Sequence, residues 1–334
     1  EQMGYWSLSG LVALMKKVIL FTLIFEAVGA LVLGVAFSRS MDLGFGQAVF
    51  YGIFHSISAF CNAGFDITGS SLVECAGNEW IIIPVSLLII LGGVGFYVIT
   101  DVYSNKGNWG KLSLHAKIAI KMTATLLLVG TVCVYVLEKD NPATIGYMSM
   151  GDKVLSSWFQ SVTPRTAGFS SVAIEGLRIP TAFITILLMF VGASPGGTGG
   201  GVKTTTFYST LKFVGSSVRG EEDVNISKRR LPRTAVQRAL VIVLLSIGLV
   251  ISSTLVLTVT EDAQFLDILF EVVSAFGTVG LSRGLTPFLS DIGKIVLTIT
   301  MFAGRVGPLS FIIAIYKNSQ RSNIRYPEER VSVG

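Results

Sequence analysis

The sequence predicts an all-α integral membrane protein built from tandem helix–pore loop–helix repeats, and three observations lead to this prediction. Hydrophobic residues make up 51% of the 334 residues and charged residues only 14%, whereas soluble domains carry about 25% charged residues. Six apolar stretches approach or exceed the roughly 20 residues that a helix needs to cross a bilayer. A short loop with a central glycine also recurs three times. The apolar stretches cover approximately 18–37, 80–100, 118–137, 179–193, 239–259 and 292–316.

The first repeat covers residues 1–105. Its predicted elements are a helix over 11–37, a pore helix over 46–60, a loop at Cys61, Asn62, Ala63, Gly64 and Phe65, and a helix over 80–100. The stretch 46–60 has apolar residues at helical spacing but is too short to span a bilayer. Such re-entrant elements persist at membrane depth only when they are buried in protein or line a water-filled cavity.

The middle repeat covers residues 106–220. Its predicted elements are a helix over 117–138, a pore helix over 152–164, a loop at Arg165, Thr166, Ala167, Gly168 and Phe169, and a broken helix over 179–218. The break falls in 194–202 and contains Ser194, Pro195, Gly196, Gly197, Thr198, Gly199, Gly200 and Gly201. Glycine costs about 1 kcal/mol and proline about 3 kcal/mol inside a helix, so a flexible loop is expected here.

The last repeat covers residues 221–316, and a cytoplasmic tail is predicted over 317–334. The repeat comprises a helix over 236–259, a pore helix over 264–276, a loop at Gly277, Thr278, Val279, Gly280 and Leu281, and a helix over 291–316. Arg305 lies within this final apolar helix. A charge at the bilayer centre costs at least about 2.5–3.5 kcal/mol, so Arg305 should face water or polar partners. Hydroxyls and carbonyls of 194–198 are suitable partners, and a structural anchor between helices is the alternative.

The three loops share one pattern around their glycines. Each has a small polar residue two positions before the glycine, a small apolar residue before it and a bulky apolar residue after it. A glycine in this context can present consecutive carbonyl oxygens to an axis, where they replace the water around a dehydrated cation. The bulky residue is expected to pack behind the loop. The pattern predicts a cation-selective pore, and it does not distinguish potassium from sodium.

Charge and cysteine content exclude other classes of protein. Most of the 26 Lys and Arg residues fall in alternate loops, which indicates that those loops are cytoplasmic. This topological signal is favoured over recognition of nucleic acid or lipid by the basic loops. Cys61, Cys75 and Cys133, with His55 and His115, form neither a disulfide framework nor a zinc motif. The spans contain no paired Asp or Ser–His set, so an enzyme is not expected.

These residues resemble the Trk/Ktr/HKT superfamily, most closely the membrane subunit of bacterial Ktr potassium uptake systems. That family has a potassium-channel-like pore of four helix–pore loop–helix repeats, so the resemblance implies that this chain holds the second, third and fourth and lacks the first. It also implies that the loop at 194–202, together with Lys203 and Arg305, gates the pore. Lys203 follows Val202 and no full Gly-x-Gly-x-x-Gly exists, so no nucleotide is expected on this chain.

The resemblance further implies a function and partners. The expected function is uptake of potassium ions, bound by filter carbonyls, across a bacterial plasma membrane. The expected assembly is a homodimer in the lipid bilayer on a cytoplasmic ring of regulatory subunits that bind ATP or ADP. The basic loops and the tail would form the docking surface. An alternating-access transporter is the alternative, but such folds have paired inverted halves, whereas these repeats run parallel.

Several other residues carry two interpretations each. Gly92, Gly93 and Gly95 favour close helix packing over a second gate. Glu26 is either a coordinating site or a buried hydrogen-bonded carboxyl. Arg165 either tunes cation occupancy or braces its loop, and bracing is favoured. The remaining pair on the last pore helix, Asp267 and Glu271, either attracts ions or caps the extracellular end.

Overall fold

A computed structural model describes residues 8–227 and 229–310, together with 327 and 329. The described residues form helices α1 Leu8–Ser40, α2 Phe45–Phe60, α3 Glu79–Val94, α4 Phe96–Ser104, α5 Leu114–Glu138, α6 Met150–Val162, α7 Ile179–Phe190, α8 Thr204–Val218, α9 Arg233–Thr260, α10 Phe265–Gly277 and α11 Asp291–Val306. One antiparallel hairpin, β1 Asn225–Ile226 with β2 Arg229–Arg230, connects α8 to α9. The predicted helical segment 311–316 and most of the tail at 317–334 lie outside the described residues.

Only part of the predicted set of continuous membrane spans is present. Among the described residues, α1, α5 and α9 each contain a stretch long and apolar enough to cross a membrane. The pair α3 and α4 forms a fourth candidate if counted as one span, but it bends by 93°. The continuous helix predicted over 80–100 is therefore wrong. In the last repeat, α11 ends at Val306 before Gly307, whose φ is +97°.

The bend between α3 and α4 arises at Gly95. Its φ of +96° is unfavourable for any residue with a side chain. A Cβ atom here would also lie 2.7 Å from the carbonyl oxygen of Pro195. The N–H of Phe96 donates to the carbonyl oxygen of Gly196 at 3.2 Å instead of continuing the helix. Gly92, Gly93 and Gly95 thus allow close packing, Gly92 and Gly93 against Phe60 and Asn62 and Gly95 against residues 195–197.

Each pore helix packs against the long helix that precedes it. In the first repeat, Ser56 Oγ donates to the carbonyl oxygen of Glu26 at 2.8 Å, and in the middle repeat Ser161 Oγ donates to that of Leu127 at 2.8 Å. Gly29 and Gly130 make these contacts possible, since a Cβ atom on either would overlap the serine hydroxyl. The same contact therefore positions α2 and α6.

The end of the bundle opposite the basic loops carries a connection between the middle and last repeats. Arg283 Nε donates to Asp267 Oδ1 at 2.6 Å, and its Nη1 donates to the carbonyl oxygens of Ile174 and Leu177 at 3.3 and 3.2 Å. Asp267 is therefore held in an ion pair. This geometry favours its structural interpretation over ion attraction.

Glu271 of α10 is likewise held by its neighbours. Its carboxylate accepts from Ser282 Oγ at 2.8 Å and from the hydroxyl of Thr286. Both donors follow the last pore loop in sequence, and Glu271 itself is buried. The carboxylate links α10 to the segment that follows the last pore loop, which favours the interpretation that Glu271 caps the extracellular end.

Candidate ion-binding site

The three glycine-containing loops lie against one another. A Cβ atom on Gly64 would overlap the carbonyl oxygen of Ala167, and one on Gly168 would overlap that of Val279. A Cβ atom on Gly280 would have Gly168 Cα as its nearest described neighbour, at 3.8 Å. The loops therefore follow one another in the order first, middle and last, with each of the first two glycines facing the next loop's backbone.

The backbone of each loop alternates between two conformations. Two positions before the glycine, Asn62, Thr166 and Thr278 have φ values of +52°, +76° and +51°. The glycines have φ values of +70°, +83° and +95°, while the residues between are not among those with positive φ. A non-glycine residue with positive φ is uncommon. Its repetition at the same position in three loops indicates a specific carbonyl arrangement, which the sequence alone does not reveal.

Pore-helix residues hold the loops in this conformation. Ser58 Oγ donates to the carbonyl oxygen of Phe65 at 2.7 Å, and Thr163 Oγ1 donates to that of Phe169 at 2.5 Å. In the last loop the N–H of Gly280 donates to Ser274 Oγ at 3.2 Å. Each loop is thus tied back to its own pore helix.

The bulky residues after the glycines differ in burial. Phe169 and Leu281 are buried, as expected, but Phe65 is 70% exposed. The expectation that all three pack behind their loops is therefore wrong for Phe65. The packing of Phe169 is part of the apolar cluster that joins the first and middle repeats. No such cluster of described residues contains Phe65.

The residues three positions before the glycines do not share a role. Arg165 is buried and donates through Nη1 to the carbonyl oxygen of Thr123 at 3.4 Å and through Nη2 to that of Gly192 at 3.2 Å. Its guanidinium therefore braces the middle loop against α5 and against Gly192, which lies between α7 and residues 194–202. Cys61 is exposed, with its Sγ 3.8 Å from Glu26 Oε1. Gly277 is confined, since a Cβ atom there would lie 2.7 Å from the carbonyl oxygen of Met189.

The glycine-rich loop, which we define as 194–202, contacts all three pore loops. Thr198 Oγ1 donates to the carbonyl oxygen of Phe60 in the first repeat at 3.3 Å. A Cβ atom on Gly199 would overlap Thr166 Oγ1 of the middle loop. The N–H of Gly200 donates to Thr278 Oγ1 of the last loop at 3.1 Å. The glycine-rich loop therefore lies across the point where the pore loops meet.

The N–H groups of the glycine-rich loop also bind α3. Ser194 and Thr198 donate through their N–H groups to the carbonyl oxygens of Gly93 and Gly92, at 2.9 and 3.1 Å. Helix α3 can offer these carbonyls because the chain bends at Gly95 and no longer forms the next helical turn. Residues 92–95 are thus the surface on which the glycine-rich loop packs.

Two cationic side chains hold carbonyl oxygens of the same loop. Lys203 Nζ donates to the carbonyl oxygen of Gly199 at 2.6 Å, and Arg305 Nη1 donates to that of Thr198. Arg305 comes from α11, far from Thr198 in sequence. Its polar partner is a backbone carbonyl, within the 194–198 segment where the sequence suggested one.

Sequence reasoning missed two bridging side chains. The amide of Asn62 lies 3.3 Å from the hydroxyls of both Thr166 and Thr198, so it links the first pore loop, the middle pore loop and the glycine-rich loop. The hydroxyl of Thr278 receives the Gly200 N–H. A sequence signal existed, since all three pore loops carry a small polar residue at this position. Its partners could not be identified without coordinates.

Within the described residues, no group of three or more His, Cys, Asp and Glu side chains could hold a metal ion. Carbonyl oxygens of Ala167 and Val279 lie where the three loops meet, beside the hydroxyls of Thr166 and Thr278. Non-helical backbone at membrane depth is tolerated where it is buried in protein or lines a water-filled cavity, and the selectivity filters of channels are built in this way.

Comparisons with known proteins agree with this class. The family model TrkH, described as "Cation transport protein", matches residues 2–326. The chain is 39% identical over 334 residues to Ktr system potassium uptake protein B of Bacillus subtilis, covering 100% of this chain and 74% of that protein. It is 36% identical to the potassium/sodium uptake protein NtpJ of Enterococcus hirae, covering 100% of this chain and 74% of that protein.

The crystal structure of the potassium transporter TrkH from Vibrio parahaemolyticus has a TM-score of 0.69 to this chain at 19% identity. The match covers 86% of this chain and 61% of that one, and it supports the fold alone. The chain belongs to the TrkH family of cation transport proteins. It is a multi-pass plasma-membrane protein, and the transport functions of its relatives are consistent with a protein that is not an enzyme.

Proposed function

We propose that this chain takes up potassium ions across the plasma membrane, and that the three glycine-containing loops form its selectivity filter. The observation that carries this proposal is the convergence of Gly64, Gly168 and Gly280, with the first two directed at the next loop's carbonyl. Potassium uptake by the Bacillus subtilis relative supports the choice of ion. The proposed ligands are backbone carbonyl oxygens of 61–64, 165–168 and 277–280.

Carbonyl ligands suit potassium because they replace its hydration shell without adding fixed negative charge. A positive φ two positions before each glycine and at the glycine itself gives the three loops the same backbone pattern, which would present equivalent carbonyls to a shared ion. Phe65 and Phe169 carbonyls are occupied by hydroxyl donors at 2.7 and 2.5 Å. The carbonyls nearer the glycines are thereby the better candidates for ion coordination.

The glycine-rich loop is the proposed gate. It lies across the filter, with Thr198, Gly199 and Gly200 each touching a different pore loop. Arg305 and Lys203 hold its carbonyls and place positive charge beside the route of a cation. Opening then requires that these bonds be released while the loop moves away from the filter.

We further propose that the working assembly is larger than this chain. Among the described residues, only Gly168 Cα lies within 4 Å of a Cβ atom on Gly280, which leaves room beside this loop for a fourth one. The chain spans about three quarters of the length of its Ktr relatives. The proposed assembly is a homodimer that rests on a cytoplasmic nucleotide-binding ring. Binding of ATP or ADP to the ring is the proposed means of regulation.

Replacing Gly64 by serine tests the filter. At a φ of +70°, with the Ala167 carbonyl oxygen in the way, the Gly64→Ser variant should lose potassium over sodium preference or bind potassium more weakly. Rubidium uptake, with and without competing sodium, measures this in a host that lacks other potassium transport systems. Gly215→Ser on α8 is the control, since nothing lies within 4 Å of its Cβ position. Equal kinetics for both variants at normal protein levels would remove the filter assignment.

Deleting Gly196–Gly201 tests the gate. If the loop obstructs the pathway, the deletion should raise basal rubidium flux in proteoliposomes. Purified protein must elute as a single species of normal size, so that leakage through unfolded protein is not counted. An unchanged flux in well-folded protein would mean that the loop is only a packing break.

A further inference from the structure

The segment between α4 and α5 gathers positive charge at one end of the bundle. Lys106 and Lys111 lie in the connecting loop, and Lys117 and Lys121 lie on the first two turns of α5. Lys106, Lys111 and Lys121 are exposed. Within the described part of the chain, none of the four forms an ion pair. Their charge is therefore available to a ligand.

The single acid of this segment is already used by the protein. Asp101 accepts from Asn105 Nδ2 at 2.8 Å and from the N–H of Ser113 at 2.9 Å. Ser113 is the N-cap of α5, so this carboxylate fixes the start of that helix. Asp101 organises the loop and leaves the lysines unneutralised.

Two of the lysines fold back onto the loop instead of extending separately into solvent. Lys117 Nζ donates to the carbonyl oxygen of Gly110 at 3.1 Å. Lys121 Nζ lies 5.8 Å from the centroid of the Trp109 ring, which is 44% exposed. Trp109, Lys117 and Lys121 thus form one group, which we call the lysine–tryptophan site. A loop that only signals topology needs no such convergence.

Helix α4 leaves the direction of the preceding span and carries aromatic residues of the kind found at a membrane boundary. Helix α4 runs at 93° to α3, so it turns away from the direction of the preceding span. Its Tyr103 is 70% exposed and contacts Phe21 of the long helix α1, with ring centroids 5.3 Å apart. Tyrosine and tryptophan are enriched where hydrocarbon meets the headgroups. Tyr103 and Trp109 fit this location.

We propose that the lysine–tryptophan site binds the phosphate of an anionic phospholipid in the leaflet that faces the basic loops. The Lys121 ammonium over the indole ring and the Lys117 ammonium at the neighbouring Gly110 carbonyl provide charge for the phosphate, and the indole provides an amphipathic surface for the headgroup region. The stems of both lysines can lie along apolar surface while their heads reach the interface. An acidic protein would match the charge but would not account for aromatic side chains at the membrane boundary.

Fluorescence of Trp109 offers a direct test on the whole chain in nanodiscs. Brominated phosphatidylglycerol should quench Trp109 more strongly than brominated phosphatidylcholine, and Trp109→Phe identifies that contribution among the four tryptophans. Lys117→Gln with Lys121→Gln should abolish the difference, at about fivefold in apparent affinity per lysine. Lys212→Gln is the matched control, because Lys212 makes the same 5.8 Å contact with Tyr208 on α8.

Each outcome decides the proposal. Loss of the preference in the double glutamine variant, with retention in Lys212→Gln and in the charge-preserving double arginine variant, would support it. Equal quenching of the unmodified chain by the two lipids would overturn it and would leave the surface to an acidic protein partner. A preference that survives in the double glutamine variant would also overturn it. Quenching does not depend on ion flux, so failure of the transport proposal would be seen separately.

Discussion

The middle and last repeats use the same elements in surroundings that differ. Gly168 faces the Val279 carbonyl oxygen directly, whereas the nearest described neighbour of a Cβ atom on Gly280 is 3.8 Å away. Glu138 is the last residue of α5 and is 1% exposed. Its counterpart in the last repeat, Glu261, directly follows α9 and is only half-buried. A shared sequence pattern therefore does not determine which substitutions a position tolerates. The residues packed around that position determine it.

Replacing Gly168 and Gly280 by alanine should give the largest difference in rubidium uptake between the middle and last repeats. Both positions have positive φ, which costs alanine roughly 1–2 kcal/mol. Gly168→Ala adds overlap with a backbone atom that cannot rotate away, so rubidium uptake should be abolished. A Cβ atom on Gly280 meets no described atom closer than 3.8 Å, so Gly280→Ala should retain more uptake than Gly168→Ala, with altered sodium competition. Equal losses of rubidium uptake would show that backbone conformation alone determines the effect, and the expected difference between the two loops would be wrong.

The two glutamates should differ in their effect on stability. Glu138 accepts from the N–H of Arg178 at 3.0 Å, from Asn141 Nδ2 at 2.5 Å and from Thr144 Oγ1 at 2.6 Å. Glu138→Gln turns an amide N–H₂ toward donors in a buried site and should cost about 2–3 kcal/mol. Glu261→Gln, in its more exposed site, should cost less. Unfolding in mixed micelles of increasing denaturing detergent measures both, and a larger loss for Glu261→Gln would contradict this ranking.

The polar residues before the glycines should affect the gate unequally. Thr278 Oγ1 receives the N–H of Gly200, whereas no N–H of the glycine-rich loop donates to Thr166. Thr278→Val leaves that N–H without its acceptor, a loss of about 1 kcal/mol or more that should raise basal rubidium flux roughly fivefold. Thr166→Val keeps the shape and removes a bond to Asn62 instead of one to an N–H of the glycine-rich loop, so it is the comparison variant. A larger flux change in Thr166→Val would mean that contact, and not the hydrogen bond, holds the loop.

The smallest expected effect is a pH dependence at Glu261. Hydrogen bonds from the hydroxyl and the N–H of Ser290 lower the pKa of the Glu261 carboxyl below its ordinary value. Because the folded pKa is depressed, this stabilisation is present above the unfolded pKa and is lost as the pH falls through the folded pKa. The stability difference between the unmodified chain and Glu261→Gln should shrink over that range. A constant difference would assign the effect to shape alone.

Much of the architecture could be predicted from the sequence because it depends on local patterns. Apolar length identified the long helices, and the recurrence of Gly64, Gly168 and Gly280 identified three loops that the structure places side by side. The glycine and proline content of 194–202 identified the break after α7. These features are properties of short segments, which a sequence displays directly.

What the sequence did not predict depends on contacts between distant segments. The bend at Gly95 exists because residues 195–196 pack there, and glycine content alone could not distinguish that role from ordinary helix packing. The exposure of Phe65 depends on which helices cover its loop. The pairing of Thr278 with Gly200 joins side chain and backbone 78 residues apart. Only the assembled fold specifies such partners.

The contact between each glycine and the next loop has a consequence for genetics. Because Gly64 faces Ala167 and Gly168 faces Val279, a defect in one loop meets its obstacle in the following loop and not in the preceding one. Second-site suppressors of a Gly168 substitution should therefore arise near Val279 more often than near Gly64. Each repeat would then limit which substitutions the preceding repeat can accept during evolution.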